Sequence, residues 1–315
     1  SGGVTPVINA TAAGLIDYLL NHRSFFGKLY MGKNGIAGAL KEELIDISLE
    51  SRAELKKLIH TPGGAFGSCR IKLKDPIKNK REFHRILEVF KAHNIGYFFY
   101  NGGGDSQDTT LKISNFCKKH GYDLVCIGLP KTIDNDLPIT DNCPGFGSVA
   151  KYIATSTYEA SLDVVSMANS STKVFLLEVM GRHAGWLAAS AGVIKDDKSM
   201  PPHLILLPEV VFNEKRFLSK VKKTVSKYGY CVVVASEGIR DKSNRFIASS
   251  TSKDSFGHAH LGGVAPKLAN IISNKLSYKV HWAVSDYLQR AARHIGSSVD
   301  GEQAYARGYK ARDDA

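Results

Sequence analysis

Short apolar runs alternate with segments of helical period along most of this chain. Strands are predicted at 96–100, 124–129, 173–179, 204–208 and 230–235. Amphipathic helices are predicted at 82–93, 106–120, 147–168, 184–194 and 214–227. This alternation is typical of an α/β fold with mostly parallel sheets, in which ligands bind beyond the carboxyl ends of the strands.

The loops that follow four of these strands are polar or rich in glycine. They read NGGGDS at 101–106, PKTIDND at 130–136, MGRH at 180–183 and SEG at 236–238. One such loop is weak support for a site, because tight turns use glycine for conformational reasons alone. Four loops on one predicted rim favour a binding site.

Composition narrows the class of protein. The 315 residues are 43% hydrophobic and 23% charged, which suggests a globular protein of two domains. The net charge of +12 suits an anionic partner, but no nucleic-acid-binding signature accompanies it, and solvated helix faces are the simpler explanation. No apolar run is long enough to predict a membrane span, and five scattered cysteines indicate free thiols, so a cytoplasmic protein is expected.

The loop NGGGDS follows a strand and opens a helix, which predicts a phosphate cradle of backbone N–H groups. It lacks the lysine of a P-loop and the spacing of a dinucleotide-binding loop. The alternative is a tight turn with Asp105 or Ser106 as the helix cap.

The loop PKTIDND places Asp134 and Asp136 on one side if the segment is extended, close to Lys131 and Thr132. One carboxylate can accept a proton from a hydroxyl while the other holds Mg²⁺ on a phosphate, and the lysine can neutralise phosphoryl charge. The alternative is a turn in which Asp134 and Asn135 only bond to the backbone.

Two later residues are candidates for binding. Arg182 in MGRH can grip a phosphate through two parallel hydrogen bonds, whereas an isolated arginine is normally just solvated. Glu237 in SEG can accept hydrogen bonds from sugar hydroxyls, or can simply stand at a helix N-terminus.

These motifs, in this order, resemble the 6-phosphofructokinase family. The resemblance rests on GGGDS, PKTIDND, PGFGSVAKY, EVMGRHAGW and SEG, with SGGVTPVIN, TPGGAFGSCR and YLQR as further matches, and it covers nearly the whole chain. The family transfers a phosphoryl group to the 1-hydroxyl of fructose 6-phosphate. Its fold implies two Rossmann-like three-layer α/β domains with the active site in the cleft between them.

The family divides by phosphoryl donor. Members that use ATP read GGDGS and PGTIDND, whereas members that use pyrophosphate carry an aspartate later in the loop and a lysine before TIDND. Asp105 and Lys131 therefore resemble the pyrophosphate branch. A shift of one position would instead make Asp105 a metal ligand and Ser106 the residue that selects the donor, so both roles of Asp105 stay open.

The resemblance implies a role for each matching residue. Asp134 would be the base, assisted by Lys131, Thr132 and Arg182, with Mg²⁺ at Asp105 and Asp136. Fructose 6-phosphate would be bound by Thr132, Asp134, Met180, Gly181, Arg182, Glu237 and Arg290. Pyrophosphate would be bound by Gly3, Arg70, Gly102, Gly103, Asp105, Ser106 and Lys131.

The same resemblance implies a donor domain of 1–145 plus 288–315, a sugar-phosphate domain of 146–287, and a homodimer or homotetramer without nucleic acid or membrane. The chain departs from the family pattern at Gly104, Tyr287 and Lys173, and both of its ends are shorter than that pattern. Two alternatives therefore remain: an ATP-dependent enzyme, and a truncated, catalytically weak subunit that binds sugar phosphate.

Overall fold

The computed structural model describes residues 1–253 and 259–311. It divides into two compact units, which are described separately below. The first unit comprises Ser1–Ile133, Leu137–Ser148 and Gly296–Ala315, and the second comprises Asp134–Asp136 and Val149–Ile295. The predicted domains at 1–145 plus 288–315 and at 146–287, with a cleft between them, stay a prediction.

The helices and strands alternate as the hydrophobic pattern predicts. The α-helices are α1 (Ile8–Asn21), α2 (Ile36–Lys41), α3 (Arg52–Lys57), α4 (Lys80–Ala92), α5 (Gly104–Lys119), α6 (Phe146–Met167), α7 (Trp186–Ser190), α8 (Glu214–Tyr228), α9 (Val264–Leu276), α10 (Asp286–Ala291) and α11 (Ser298–Lys310). The strands are β1 (Tyr30–Gly32), β2 (Leu44–Asp46), β3 (Tyr97–Gly102), β4 (Val125–Pro130), β5 (Val174–Val179), β6 (Leu204–Leu206), β7 (Cys231–Ser236), β8 (Ser249–Lys253), β9 (Ala259–Leu261) and β10 (Val280–Val284).

Parallel pairing dominates the sheets that carry the polar loops. In the first unit β3 pairs with β4, and in the second unit the strand order is β10, β5, β7, β6, all parallel. The pairs β1–β2 and β8–β9 are antiparallel. The predicted α/β class with mostly parallel sheets is confirmed, but the four polar loops lie on two sheets rather than on one rim.

The two principal sheets differ in how deeply they are buried. Every residue of β7 is buried, because the strand lies between β5 and β6 and packs against α8 and α9. Only two residues of β3, Tyr100 and Gly102, are buried. A cavity of about 580 Å³ lies beside β3, lined by residues of α1, β1 and β3.

One predicted helix is shorter than expected and others were not predicted. The helix expected at 184–194 ends at Ser190, and the amides of Ala191, Gly192 and Val193 then donate to carbonyls three residues back. Gly192 favours this tightening because glycine is a poor helix former. The elements α9, β10 and α11 were not predicted. No helix in the described ranges is long and apolar enough to cross a membrane.

Candidate active site

The first group of predicted site residues lies where β3 and β4 end side by side. Their register pairs Asn101 with Leu129 and Gly102 with Pro130, so the loops NGGGDS and PKT leave the same end of the sheet. A Cβ added at Gly102 would lie 2.1 Å from the Oγ atom of buried Ser106. Gly102 therefore permits Ser106 to pack beneath the loop.

The first turn of α5 is open to a ligand. Gly103 is the N-cap, and no side chain in the described part of the chain caps this helix. A Cβ added at Gly104 would meet no atom within 4 Å, so the space beside the turn is free. Uncapped N–H groups and the helix dipole suit a phosphate. The alternative of a turn capped by Asp105 or Ser106 is wrong, since both residues lie inside the helix.

Lys131 is a buried cation beside two glycine loops. Its side chain is only 5% exposed, its backbone amide donates to the Gly102 carbonyl at 3.0 Å, and its Nζ atom donates to the Gly3 carbonyl. Gly2 lies beside this ammonium group, since an added Cβ would be in ordinary contact with the Nζ atom at 3.5 Å. The structure thus brings Gly3 and Gly102 into contact with Lys131, and all three are predicted donor-binding residues.

Asp105 has a partner that the sequence did not indicate. The Lys72 Nζ atom lies 2.6 Å from the Asp105 Oδ1 atom, and this pairing raises the pKa of Lys72, which stays cationic. Arg70 lies two residues before Lys72 and is exposed. We call Gly3, 102–106, Lys131 and Lys72 the glycine-loop region.

Thr132, which follows Lys131, pairs with another segment of the first unit. It forms an isolated parallel bridge with Gly145, whose φ of 110° requires glycine. The buried Asp300 carboxylate accepts hydrogen bonds from the Gly145 amide at 2.9 Å, the Ser148 amide at 2.9 Å and the Ser148 hydroxyl at 2.6 Å. Asp300 therefore supports the start of α6 and the backbone opposite Thr132.

The second group of predicted site residues lies at the ends of β5 and β7. The register pairs Val179 with Ser236, and the Glu237 amide donates to the Val179 carbonyl at 2.9 Å. The Ser236 hydroxyl donates to the Gly181 carbonyl at 2.5 Å. A Cβ at Gly238 would lie 2.2 Å from the Arg182 carbonyl, so only glycine allows this approach of the two loops.

Glu237 is a carboxyl group whose pKa is strongly shifted. Burial and the like charge of Asp134 raise the pKa of Glu237 to about 7, and Arg182 opposes that shift. The effects of the Asp134 and Arg182 charges on Glu237 require that these side chains lie close to it. The structure therefore unites Asp134, Arg182 and Glu237, which are far apart in sequence. We call these three residues, with Asp136 and 180–181, the carboxylate region.

The TIDND turn is sharply bent rather than extended. Asn135 is buried and has a left-handed φ of 53°, while Asp136 is exposed. An asparagine tolerates this conformation better than most residues. The condition under which Asp134 and Asp136 would share one side, an extended segment, is therefore not met, and the turn separates their environments.

The helix α10 lies against the carboxylate region. The Met180 amide donates to the side-chain oxygen of fully buried Gln289 at 3.4 Å, and the Arg290 guanidinium lies 3.7 Å from the centre of the Tyr287 ring. Met180 therefore bonds to Gln289, the neighbour of Arg290 in α10, and both Met180 and Arg290 are predicted substrate residues. Sequence reasoning missed Gln289, because nothing in its local pattern separates it from a surface glutamine.

Glu178, one position before Val179, is also a buried carboxylate that the sequence did not reveal. It accepts hydrogen bonds from the amides of Gly263 at 3.1 Å and Ala265 at 2.8 Å, at the start of α9. Burial raises the pKa of Glu178, against the pull of these bonds. Its role is to hold α9 to β5.

The described ranges contain no group of three or more His, Cys, Asp or Glu side chains arranged for a metal ion. Magnesium on a phosphoryl substrate needs only one or two carboxylates, because phosphate and water complete its shell. The exposed carboxylate of Asp136 suits that arrangement. Asp105 suits it less, since Lys72 engages its Oδ1 atom.

Known proteins similar to this chain belong to the family that the motifs resemble. The phosphofructokinase family model matches residues 1–313. The chain is 58% identical over 99% of its length to a Halomonas elongata protein named pyrophosphate–fructose 6-phosphate 1-phosphotransferase, of which it covers 74%. A protein of that name from Methylococcus capsulatus is 59% identical over 98% of this chain and 73% of its own.

A solved structure gives the same result. The crystal structure of a pyrophosphate-dependent phosphofructokinase from Marinobacter aquaeolei aligns with a TM-score of 0.89 and 58% identity, covering 99% of this chain and 73% of that one. The predicted family and its fold are confirmed. The chain belongs to the phosphofructokinase family.

Proposed function

We propose that this protein transfers a phosphoryl group from pyrophosphate to the 1-hydroxyl of fructose 6-phosphate. The products are fructose 1,6-bisphosphate and phosphate, and the reaction runs in both directions. The hydroxyl oxygen attacks one phosphorus atom of pyrophosphate as its proton leaves. The bridging P–O bond then breaks, and phosphate departs with the electron pair.

The observation that carries this proposal is the 58% identity, over 99% of the chain, to a relative named for this reaction. The placement of Lys131 supports the choice of phosphoryl donor. A buried ammonium group beside glycine backbone can pair with the compact charge of pyrophosphate.

The glycine-loop region is proposed to hold pyrophosphate. The open first turn of α5 offers backbone N–H groups at Gly103 and Gly104, and Lys131 offers a fixed positive charge. Such a reaction needs mainly positioning and electrostatic stabilisation of the transferring group. Gly3, Arg70, Gly102, Asp105 and Ser106 complete the proposed donor-binding set, with Thr132 beside the transferring group.

The carboxylate region is proposed to bind and deprotonate the sugar phosphate. Asp134 accepts the proton of the 1-hydroxyl, and Arg182 stabilises the transferring phosphoryl group. Glu237, whose pKa lies near 7, accepts or donates a hydrogen bond to a sugar hydroxyl according to its protonation. Met180, Gly181 and Arg290 are proposed to complete this set.

A divalent metal ion is expected to neutralise phosphate oxygens when pyrophosphate is bound, and we propose magnesium at Asp136. The exposure of that carboxylate supports the assignment. A homodimer or homotetramer in the cytoplasm is proposed from the family resemblance. Light scattering on purified protein will give the oligomeric state.

A phosphoryl-donor screen tests the proposal. Protein of verified mass is incubated with fructose 6-phosphate and Mg²⁺, with either pyrophosphate or ATP, and fructose 1,6-bisphosphate is followed by ³¹P NMR. Product is expected with pyrophosphate and not with ATP. Product with ATP alone overturns the donor assignment, and binding of fructose 6-phosphate without turnover supports the weak-subunit alternative.

A further inference from the structure

The carboxylate of Asp105 poses an electrostatic problem for the proposed function, on which this inference rests. Asp105 lies in the first turn of α5, next to the open N–H groups that are proposed to bind pyrophosphate. An unpaired carboxylate at that place would repel a highly charged anion, and two like charges a few ångströms apart interact strongly where water is partly excluded. Something must offset this charge.

Lys72 is placed to do so. Its Nζ atom lies 2.6 Å from the Asp105 Oδ1 atom, within the range of a charge-assisted hydrogen bond. The next residue, Leu73, is 1% exposed and packs in a core cluster with Phe83 and Ile113. Because Leu73 fixes the backbone, Lys72 reaches Asp105 from an anchored segment rather than from a free loop.

We infer that Lys72 is a positioning residue that sets the affinity for the phosphoryl donor by neutralising and orienting Asp105. Paired in this way, Asp105 occupies space beside the glycine loop without repelling pyrophosphate. Its Oδ1 atom is engaged by the ammonium group, so Asp105 shapes the donor site and does not bind the metal. This assigns one of the two roles that the sequence left open for Asp105.

An ordinary surface ion pair is the alternative to exclude. The side chains of Lys72 and Asp105 are 33% and 40% exposed, and pairs of that kind contribute little to stability. The chain provides a matched control one turn further along α5. Lys112 pairs with Asp108 at 2.5 Å, with side chains that are 26% and 44% exposed.

The experiment is a double-mutant cycle on the full chain. Lys72→Met, Asp105→Asn and the double variant are compared with Lys72→Arg and Lys112→Met. For each, kcat, the KM for pyrophosphate, the KM for fructose 6-phosphate and the half-saturating Mg²⁺ concentration are measured. Calorimetry with imidodiphosphate, a pyrophosphate analogue, reports donor binding in any variant that turns over too slowly.

Lys72→Met is expected to raise the KM for pyrophosphate about tenfold, because one uncompensated carboxylate then faces the anion. The KM for fructose 6-phosphate should stay within about twofold, since Lys72 acts only through Asp105. Lys72→Arg should restore donor affinity, and Lys112→Met should leave it unchanged. In the Asp105→Asn background the effect of Lys72→Met should largely disappear.

Two results overturn the inference while the proposed function stands. One is an equal effect of Lys72→Met with and without the Asp105 carboxylate. The other is a large rise in the Mg²⁺ requirement of Asp105→Asn with unchanged pyrophosphate affinity in Lys72→Met, which makes Asp105 a metal ligand. Failure of the unsubstituted protein to use pyrophosphate is a different outcome, and it overturns the proposed function.

Discussion

The glycine-loop region and the carboxylate region handle charge in opposite ways. The first surrounds glycine backbone with cations, with Lys131 buried and Lys72 covering the one carboxylate of the loop. In the second, burial and then the like charge of Asp134 push the Glu237 carboxyl group toward its neutral form, against the pull of Arg182. A cationic pocket suits an anion, and paired carboxylates suit proton transfer.

The two units share one structural feature. Asp300 in the first unit and Glu178 in the second are both buried carboxylates that accept backbone N–H bonds. Each lies far along the chain from the amides that it binds, which are those of Gly145 and Ser148 for Asp300 and those of Gly263 and Ala265 for Glu178. Each carboxylate therefore ties two segments of its own unit together, and its removal would leave the amides that it binds without acceptors.

The strongest test of the comparison is Asp134→Asn. If proton abstraction belongs to the carboxylate region, kcat should fall by a factor on the order of 10² to 10⁴ while fructose 6-phosphate binding is largely kept. Steady-state kinetics with pyrophosphate measures the loss. Asp163→Asn, the same change at an exposed position of α6, should have no effect. A loss smaller than about tenfold would exclude Asp134 as the base.

Asp300→Ala tests the support of the glycine-loop region. It leaves the Gly145 amide and the Ser148 amide and hydroxyl without their acceptor, so unfolding free energy should fall by about 3 kcal/mol. Urea denaturation followed by circular dichroism gives the value. Glu302→Ala, on the exposed side of the same helix, should change it by less than about 0.5 kcal/mol. Similar values for the two variants would contradict the role of Asp300.

Lys131→Met tests whether the positive charge of the glycine-loop region contributes to the binding and use of pyrophosphate. Removal of the buried charge should lower kcat/KM for pyrophosphate on the order of 100-fold. The KM for fructose 6-phosphate should change by less than about twofold. Lys119→Met, at an exposed end of α5, provides the control. Equal losses for both substrates would show that the two regions do not divide the substrates as proposed.

Glu237→Gln gives the smallest expected effect and a distinctive pH dependence. The pKa of Glu237 is raised from 4.5 to about 7, so the folded state favours the protonated form. Its contribution to stability is present below about pH 4.5 and is lost as pH rises through about 7. Glutamine removes this loss, so the variant should gain on the order of 2 kcal/mol relative to the parent between pH 5 and 8.

Thermal denaturation at several pH values measures the relative gain. Glu159→Gln, at an exposed position of α6, should show no such trend. A constant difference between Glu237→Gln and the parent across this range would mean that Glu237 is not held near neutrality by its surroundings.

The fold class and the motifs of the site were predictable from local patterns in the sequence. Apolar runs and helical periods are local properties, so β3, β4, β5 and β7 were predicted close to their observed bounds. Glycine motifs mark places where the backbone needs φ values or approaches that side chains forbid, as at Gly181, with φ of 126°. The apolar runs, helical periods and glycine motifs can be recognised without a structure because each depends only on residues that are close together in the chain.

The contacts between charged side chains became known from the folded chain alone. The pairing of Asp105 with Lys72, the environment of Glu237, and the support from Asp300 join segments far apart in the chain, and Gly145 and Asp300 are 155 positions apart. The same holds for the division of four similar loops between two sheets. A single sequence carries no signal for such contacts, because each partner looks locally like an ordinary surface residue, and only folding removes the water that separates their charges.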